Sequence, residues 1–279
     1  TMGKERRLIQ SIKRASDILG LFIVEQKPMG ITEFSKRLGL PKTTIASIVQ
    51  TLEAIGYLEK DPASSRYRLG PQIFQLGMQC ASSMDVITTG RAWIERLCFQ
   101  FREPVNVGTL VGDKATIVMR IEPENHFMVF PQAGPIIPLH STCIGKLLLA
   151  YLEEGKRATI LSGYLFEKFT DNTITSRARF TTELETVQSS GISFDNQETI
   201  TGMAGIGGPV FNRAGVVVAA FAVTGNALNI MRQREDIIAA VRFTTHQISS
   251  QLGCLEYNHT PLSASGGYAS MRRTDPNQT

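Results

Sequence analysis

Apolar residues in the first quarter of the chain recur at helical spacing. Ile12, Ala15, Ile18, Leu19, Phe22 and Ile23 share one stripe, which predicts a first helix that packs on the next two helices and is broken at Lys27-Pro28-Met29-Gly30. Thr32 reads as the N-cap of a short helix ending near Leu38. Gly39 permits a sharp turn, and Pro41 suits the first turn of the next helix. There Ile45, Ile48, Val49, Leu52 and Ile55 mark a buried face. Lys42, Thr43, Thr44, Ala46, Ser47 and Gln50 line the other face, with short or hydrogen-bonding side chains and no carboxylate. Two helices joined by a tight turn, the second polar along one flank, form the helix-turn-helix pattern. Beyond Gly56 the period changes to two. Residues 57–60 and 66–69 are alternating runs around Asp61-Pro62-Ala63-Ser64-Ser65, the composition of a hairpin tip. This hairpin is a wing, with Arg66 and Arg68 on the same side of its second strand.

The remainder mixes both periods. Gly70-Pro71 closes the wing, residues 72–78 read as a joining helix, and a longer helix over 85–102 opens the next domain. Strands are expected at 105–111 and 115–121 around Gly112-Asp113-Lys114, and a third at 127–130. A helix capped by Ser141 or Thr142 comes after Pro138-Leu139-His140, with further helices at 153–161 and 181–190. Strands at 192–194, 206–211 and 216–224 precede a final helix that carries Ile237, Val241, Ile248 and Leu252 on one stripe and stops at Gly253. Hairpins with helices between and at the ends predict an α+β domain on an antiparallel sheet. The expected division is a winged helix-turn-helix domain over 1–70, a linker helix over 71–86, a second domain over 87–253 and a disordered tail over 254–279, rich in Gly, Ser, Pro, Asn and Gln.

Charge sharpens this picture. Residues 1–70 carry 12 Lys/Arg against 7 Asp/Glu, whereas residues 71–279 carry 17 against 18, so the basic surplus sits on the helix-turn-helix half. Phosphate attraction is the obvious use of such a surplus; a merely solvated basic face leaves the balance of the other half unexplained. The longest apolar run, 216–223, is far short of a membrane span, and the charged start TMGKERR precedes no apolar core of a secretory signal, so a cytoplasmic protein is expected. Cys80, Cys98, Cys143 and Cys254 are far apart and form no paired motif, which reads as isolated thiols.

The stretch RLGLPKTTIASIVQTLEAIGYLEKDPASSRYRLGPQIFQLG closely resembles the DNA-binding domain of the IclR family of bacterial transcription regulators, and the resemblance extends over roughly residues 9–252. It implies a GAF-like, effector-binding second domain, no cofactor, and dimers or dimers of dimers (tetramers) to which the first helix contributes. The implied partners are double-stranded DNA with a near-palindromic operator and a small-molecule effector. Whether such a protein acts as a repressor or an activator is left open.

Candidate chemistry then falls into two groups. Lys42, Thr43 and Thr44 can meet phosphates at the start of the recognition helix, Ser47 and Gln50 can reach base edges, and Arg66 and Arg68 add wing cations. Many IclR-like proteins carry His-Arg where this chain has Ala46-Ser47, which predicts a different operator. For the effector, Ser141, Thr142 and Cys143 sit at a helix start whose free N–H groups attract an anion. That start can equally be a cap serving only its own helix. Alignment with the family adds Asp195, Met203, Gly205, Ala222 and Thr224. Gly205 and Ala222 replace a Cys and a Ser common in relatives that bind small keto acids. Their loss of polarity and bulk predicts a larger, less polar acid than glyoxylate or pyruvate, touching Phe127, Met128 or Met203.

Other readings are weaker. Gly202–Gly208 looks superficially like a dinucleotide loop but is followed by Pro209 and a strand rather than a helix. Cys143 lies three residues after His140, a thiol–imidazole spacing with no third orienting group, so no enzymatic activity is expected. His126, His140, His246 and His259 show no metal-ligand spacing. The alternative of a different class is a metabolite-binding signalling module whose winged helix binds protein; steep salt dependence on DNA separates the two.

Overall fold

The computed structural model describes residues 8–82, 85–124 and 135–254. The first unit comprises α1 (Gln10–Glu25), α2 (Ile31–Leu38), α3 (Lys42–Ala54) and a hairpin of β1 (Leu58–Lys60) and β2 (Tyr67–Leu69). Its core joins Ile18 and Phe22 of α1 to Phe34, Ile45, Val49, Leu52, Leu58 and Tyr67, with the Phe22 and Phe34 rings edge-on at 5.6 Å. The turn between α2 and α3 has Gly39 at φ 65°, and the Ser35 hydroxyl donates to the Leu40 carbonyl at 2.7 Å to hold it. Met29 and Tyr67 exchange backbone hydrogen bonds of 3.0 and 2.8 Å, fastening the segment after α1 to the wing.

Three expectations change here. Helix α2 starts at Ile31 with Gly30 as N-cap, and Thr32 lies inside its first turn. The Glu33 carboxylate reaches back to the Gly30 N–H at 2.7 Å, which replaces the expected Thr cap. Ile12 and Ile23 are exposed although they share the stripe of α1, as is Ile55 at the end of α3, because the small core fully buries only Ile18 and Phe22 of α1, with Ala15, Leu19 and Leu21 half-buried at its edge, and its last fully buried residue on α3 is Leu52.

The second unit is entered through α4 (Pro71–Ser82) and α5 (Asp85–Phe101). It continues with β3 (Val105–Val111), β4 (Lys114–Ile121), β5 (Ile136–Ile137), α6 (Cys143–Ala150), α7 (Glu154–Ser162) and α8 (Arg177–Ser190). Last come β6 (Ser193–Asn196), β7 (Met203–Phe211), β8 (Val217–Asn226), α9 (Ala227–Arg232) and α10 (Arg234–Gln251). The six strands form one antiparallel sheet in the order β5-β4-β3-β8-β7-β6. Alternation sends Val105, Val107, Ile206, Phe221 and Val223 towards α5 and α10, and Ala220 and Ala222 towards α6, α7 and α8, giving two cores on opposite faces. Helix α8 begins a turn earlier than its apolar pattern, at Arg177, because the Ser176 side chain caps it. The six-residue α9, capped by Asn226, is too short for any period and was not foreseen. Cys254, grouped with the tail by composition, is buried against the end of α10, with its N–H on the Ser249 carbonyl at 2.9 Å. The strand expected at 127–130 lies outside the described residues, as does the tail over 255–279.

Candidate functional site

Helix α3 begins without a side-chain cap. Pro41, at φ −56° and ψ 140°, precedes it, and its first turn holds no acidic residue. Lys42, Thr43, Ser47 and Gln50 are exposed and Thr44 is half-buried. Lys42 makes no ion pair among the described residues. The positive end of the helix therefore faces solvent, with its N–H groups available to an anion.

The wing arginines differ from expectation. Strand β2 starts at Tyr67, so Arg66 lies just before it. Its guanidinium donates to the Pro28 carbonyl at 2.8 Å and pairs with Glu33 at 3.0 Å. Arg68 pairs with Glu59, its neighbour across the hairpin, at 3.1 Å. Both cations are partly neutralised from within and brace the wing. The Gly30 N–H, helped by Arg66, holds the Glu33 carboxyl below its ordinary value, so this carboxylate stays ionised.

The second site is a cavity of about 270 Å³ between the start of α6 and the sheet face beneath it. Strand register builds it. One row across the sheet runs Arg120, Asn106, Ala222, Gly207 and Ser193; the next runs Thr224, Gly205 and Asp195. Small residues in these rows let α6 descend onto the strands. A Cβ on Gly207 would stand 2.6 Å from the Phe221 carbonyl oxygen and 3.1 Å from the Cys143 Cβ.

Of the residues expected to meet an effector, Thr142, Cys143, Asp195, Met203, Ala222 and Thr224 line this cavity. Two do not. Ser141 is fully buried, its hydroxyl oxygen accepting from Thr199 at 3.0 Å. Gly205 opens no space, because a Cβ there would lie 3.1 Å from both the Cys143 sulfur and the Thr224 methyl, which already fill that volume. Phe127 and Met128 lie outside the described residues. The cavity also includes Asn106, Arg120 and Thr199, which sequence patterning missed. Arg120 is there because of a bulge: Val107 faces Met119 but Gly108 faces Ile117, so Val118 is skipped. Ala115 and Ile117 face α6, and strict alternation would turn Arg120 to the opposite face.

The start of α6 is closed where that of α3 is open. The Thr142 hydroxyl oxygen accepts from the Gly145 N–H at 3.1 Å and the hydroxyl donates to the Pro138 carbonyl at 2.7 Å, and every residue of the helix is buried. Lys146, 1% exposed, donates to Glu183 at 2.9 Å, Glu198 at 2.6 Å and the Phe194 carbonyl at 2.8 Å, one acceptor for each ammonium hydrogen. Burial opposes its charge, yet the two glutamates outweigh that and hold its pKa above the ordinary value. Asp195 accepts from the Glu198 N–H at 2.7 Å, and burial raises its carboxyl.

The thiol–imidazole pairing does not form. His140 meets the Glu167 carbonyl through Nε2 at 2.9 Å and the Tyr164 hydroxyl through Nδ1 at 2.8 Å. A carbonyl only accepts, so Nε2 carries the hydrogen and the tyrosine donates to Nδ1. Burial lowers the pKa of His140 and pushes the Cys143 thiol well up, so neither is set to be nucleophile or base. Residues 202–208 form the turn and strand entering β7, not a phosphate loop. Among the described residues no acidic, His and Cys group is placed to hold a metal, and no helix is long and apolar enough to cross a membrane.

Two family models match successive parts of the chain. Residues 11–62 match the model of the IclR helix-turn-helix domain, and residues 78–250 that of the bacterial transcriptional regulator IclR C-terminal. The chain is 31% identical over 217 residues to the HTH-type transcriptional regulator XynR of Escherichia coli K12, covering 78% of this chain and 86% of the relative. Among solved structures, an IclR transcriptional regulator from Alicyclobacillus acidocaldarius superposes with a TM-score of 0.78 at 24% identity, covering 88% of this chain and 100% of that one. An IclR homologue from Microbacterium hydrocarbonoxydans complexed with 4-hydroxybenzoate superposes with a TM-score of 0.74 at 21% identity, covering 87% and 98%.

Proposed function

The chain belongs to the IclR family of bacterial transcriptional regulators, and on that premise we propose that it reads a near-palindromic operator as a dimer whose grip depends on an organic acid in the cavity. The family and the relatives it matches are DNA-binding regulators, not enzymes. The observation that carries the reading is the uncapped, carboxylate-free start of α3 beside a braced wing. In this reading Lys42, Thr43 and Thr44 meet phosphates while Ser47 and Gln50, a turn further along, face base edges. Arg66 and Arg68 set the wing's position and add affinity only as far as their glutamates leave them free.

A homodimer is supported by apolar side chains left exposed on two helices, α1 of the first unit and α4 at the entry to the second. Ile12, Ile23 and Val24 on α1, and Phe74, Leu76 and Met78 on α4, are exposed. Pairing two copies there places two recognition helices in successive major grooves. For the effector, the walls supplied by Ile117, Ile137, Ile144, Ile200, Met203 and Ala222 favour an acid larger and less polar than glyoxylate or pyruvate. The effector shifts the balance between dimer conformations by no more than its difference in affinity for them.

The test is a nuclease footprint on DNA flanking the gene, repeated over a salt series. Two protected half-sites and a steep loss with salt are expected. Binding that is flat with salt, or no protection even with metabolite extract added, would favour a winged helix that docks on protein.

A further inference from the structure

The sequence places the anion site of the second domain at the start of α6, but the structure closes that start with Thr142 and buries it. Among the described residues lining the cavity, Arg120 is the one cation. It reaches this face only because the bulge at Val118 reverses the parity of β4, and bulges beside functional sites commonly re-aim a side chain in this way. Its Nε donates to Glu122 at 2.7 Å, whereas its two terminal nitrogens have no partner among the described residues. The free edge of a guanidinium presents two parallel N–H donors that match a carboxylate. Asp195 bounds the other end, on β6. Between β4 and β6 lie β3, β8 and β7, so the two polar ends stand four inter-strand steps of about 4.8 Å apart along the sheet. The floor between them is Asn106, Ile117, Ala222 and Thr224 of the sheet, under Ile144 of α6.

We propose that Arg120 holds the effector's carboxylate at the mouth of the cavity, and that the effector is an elongated acid whose far end carries a hydroxyl that donates to Asp195. A two-carbon acid can occupy one end but cannot engage both. The inference rests on reading this cavity as the effector site. In the bound state the effector carboxylate takes the free guanidinium edge while Glu122 keeps Nε. Glu122 therefore competes for the same cation, and removing its charge strengthens the anchor.

Calorimetry on the full chain tests this with matched probes: 4-hydroxybenzoate against 4-hydroxybenzamide, 6-hydroxyhexanoate against 6-hydroxyhexanamide, and glyoxylate. At least one elongated acid is expected to bind, and its amide at least about tenfold more weakly, since charged hydrogen bonds contribute about 1.5–3 kcal/mol. Arg120→Ala should lose that acid by the same factor, Arg120→Lys should fall between, and Glu122→Gln should bind it more tightly. Asp195→Asn should keep the acid-over-amide preference while losing the preference for the hydroxylated acid over benzoate or hexanoate. Equal binding of acids by Arg120→Ala and the parent chain overturns the proposal, as does binding of glyoxylate alone or of no probe at all. Arg120 is at the surface, so thermal melting of Arg120→Ala should match the parent and exclude misfolding. A parent footprint that is present but unmoved by any bound acid would instead refute the cavity as a regulatory site and leave the anchor standing.

Discussion

Helices α3 and α6 open with similar signals, a boundary residue (Pro41 or Thr142), serine or threonine near it and a lysine within the first two turns, yet the structure treats the two starts oppositely. The start of α3 is exposed, has no side-chain cap and leaves Lys42 without an ion pair among the described residues. The start of α6 is capped by Thr142 and buried throughout, and its Lys146 is held by three acceptors. A helix terminus attracts anions only where its N–H groups are left free, so the first is suited to a partner and the second to architecture.

The strongest way to break this contrast is Lys146→Met. It strands Glu183 and the largely buried Glu198 without their cation, and should destabilise the second domain by about 3–5 kcal/mol in denaturant unfolding while the first domain keeps its own transition. A loss under about 1 kcal/mol would show that the cluster is already neutral. On the other helix, Gln50→Ala should erase about 1–3 kcal/mol of discrimination at one operator base pair, read by competition with single-base variants. Uniform weakening on every sequence would move Gln50 from base to backbone. Thr142→Val removes the cap without changing shape and should cost about 1 kcal/mol, visible in the same unfolding curves.

The smallest effect concerns pH. The pKa of His140 is lowered in the folded state, so between its folded value and the ordinary value near 6.5 the unfolded chain binds more protons. Its stabilisation is thus complete above about 6.5 and is lost as pH falls towards the folded value. His140→Gln should be less stable at about pH 7.5 but lose less on going to about pH 5.5. Parallel losses in the two proteins would place the acid sensitivity elsewhere.

The difference between the two helices also shows what a sequence can display. Periodicity marked the helix-turn-helix and most strands, because burial on one face writes itself into spacing: Ile45, Val49 and Leu52 on α3, or Ala220 and Ala222 against Phe221 and Val223 on β8. Partners distant along the chain left no such trace. Glu33 claims Arg66 from 33 residues away, and Glu198 claims Lys146 from 52. Arg120 was hidden for a different reason: one skipped residue at Val118 inverts the side on which every later residue of β4 must lie. The cavity walls from Asp195, Met203, Ala222 and Thr224 came from likeness to a family rather than from spacing, and Gly205 shows the limit of that likeness, since Cys143 already fills the room it leaves.

The reciprocal hydrogen bonds between Met29 and Tyr67 have a consequence for time rather than for shape. Both residues are buried, and this single rung closes the loop between the segment after α1 and the wing. Their amides can exchange with deuterium only when the whole first unit opens, so they should be among its slowest, well behind the amides at the free start of α3. Those two signals form a natural clock for global opening of the reader, against which the protection added by DNA or lost with an effector can be timed.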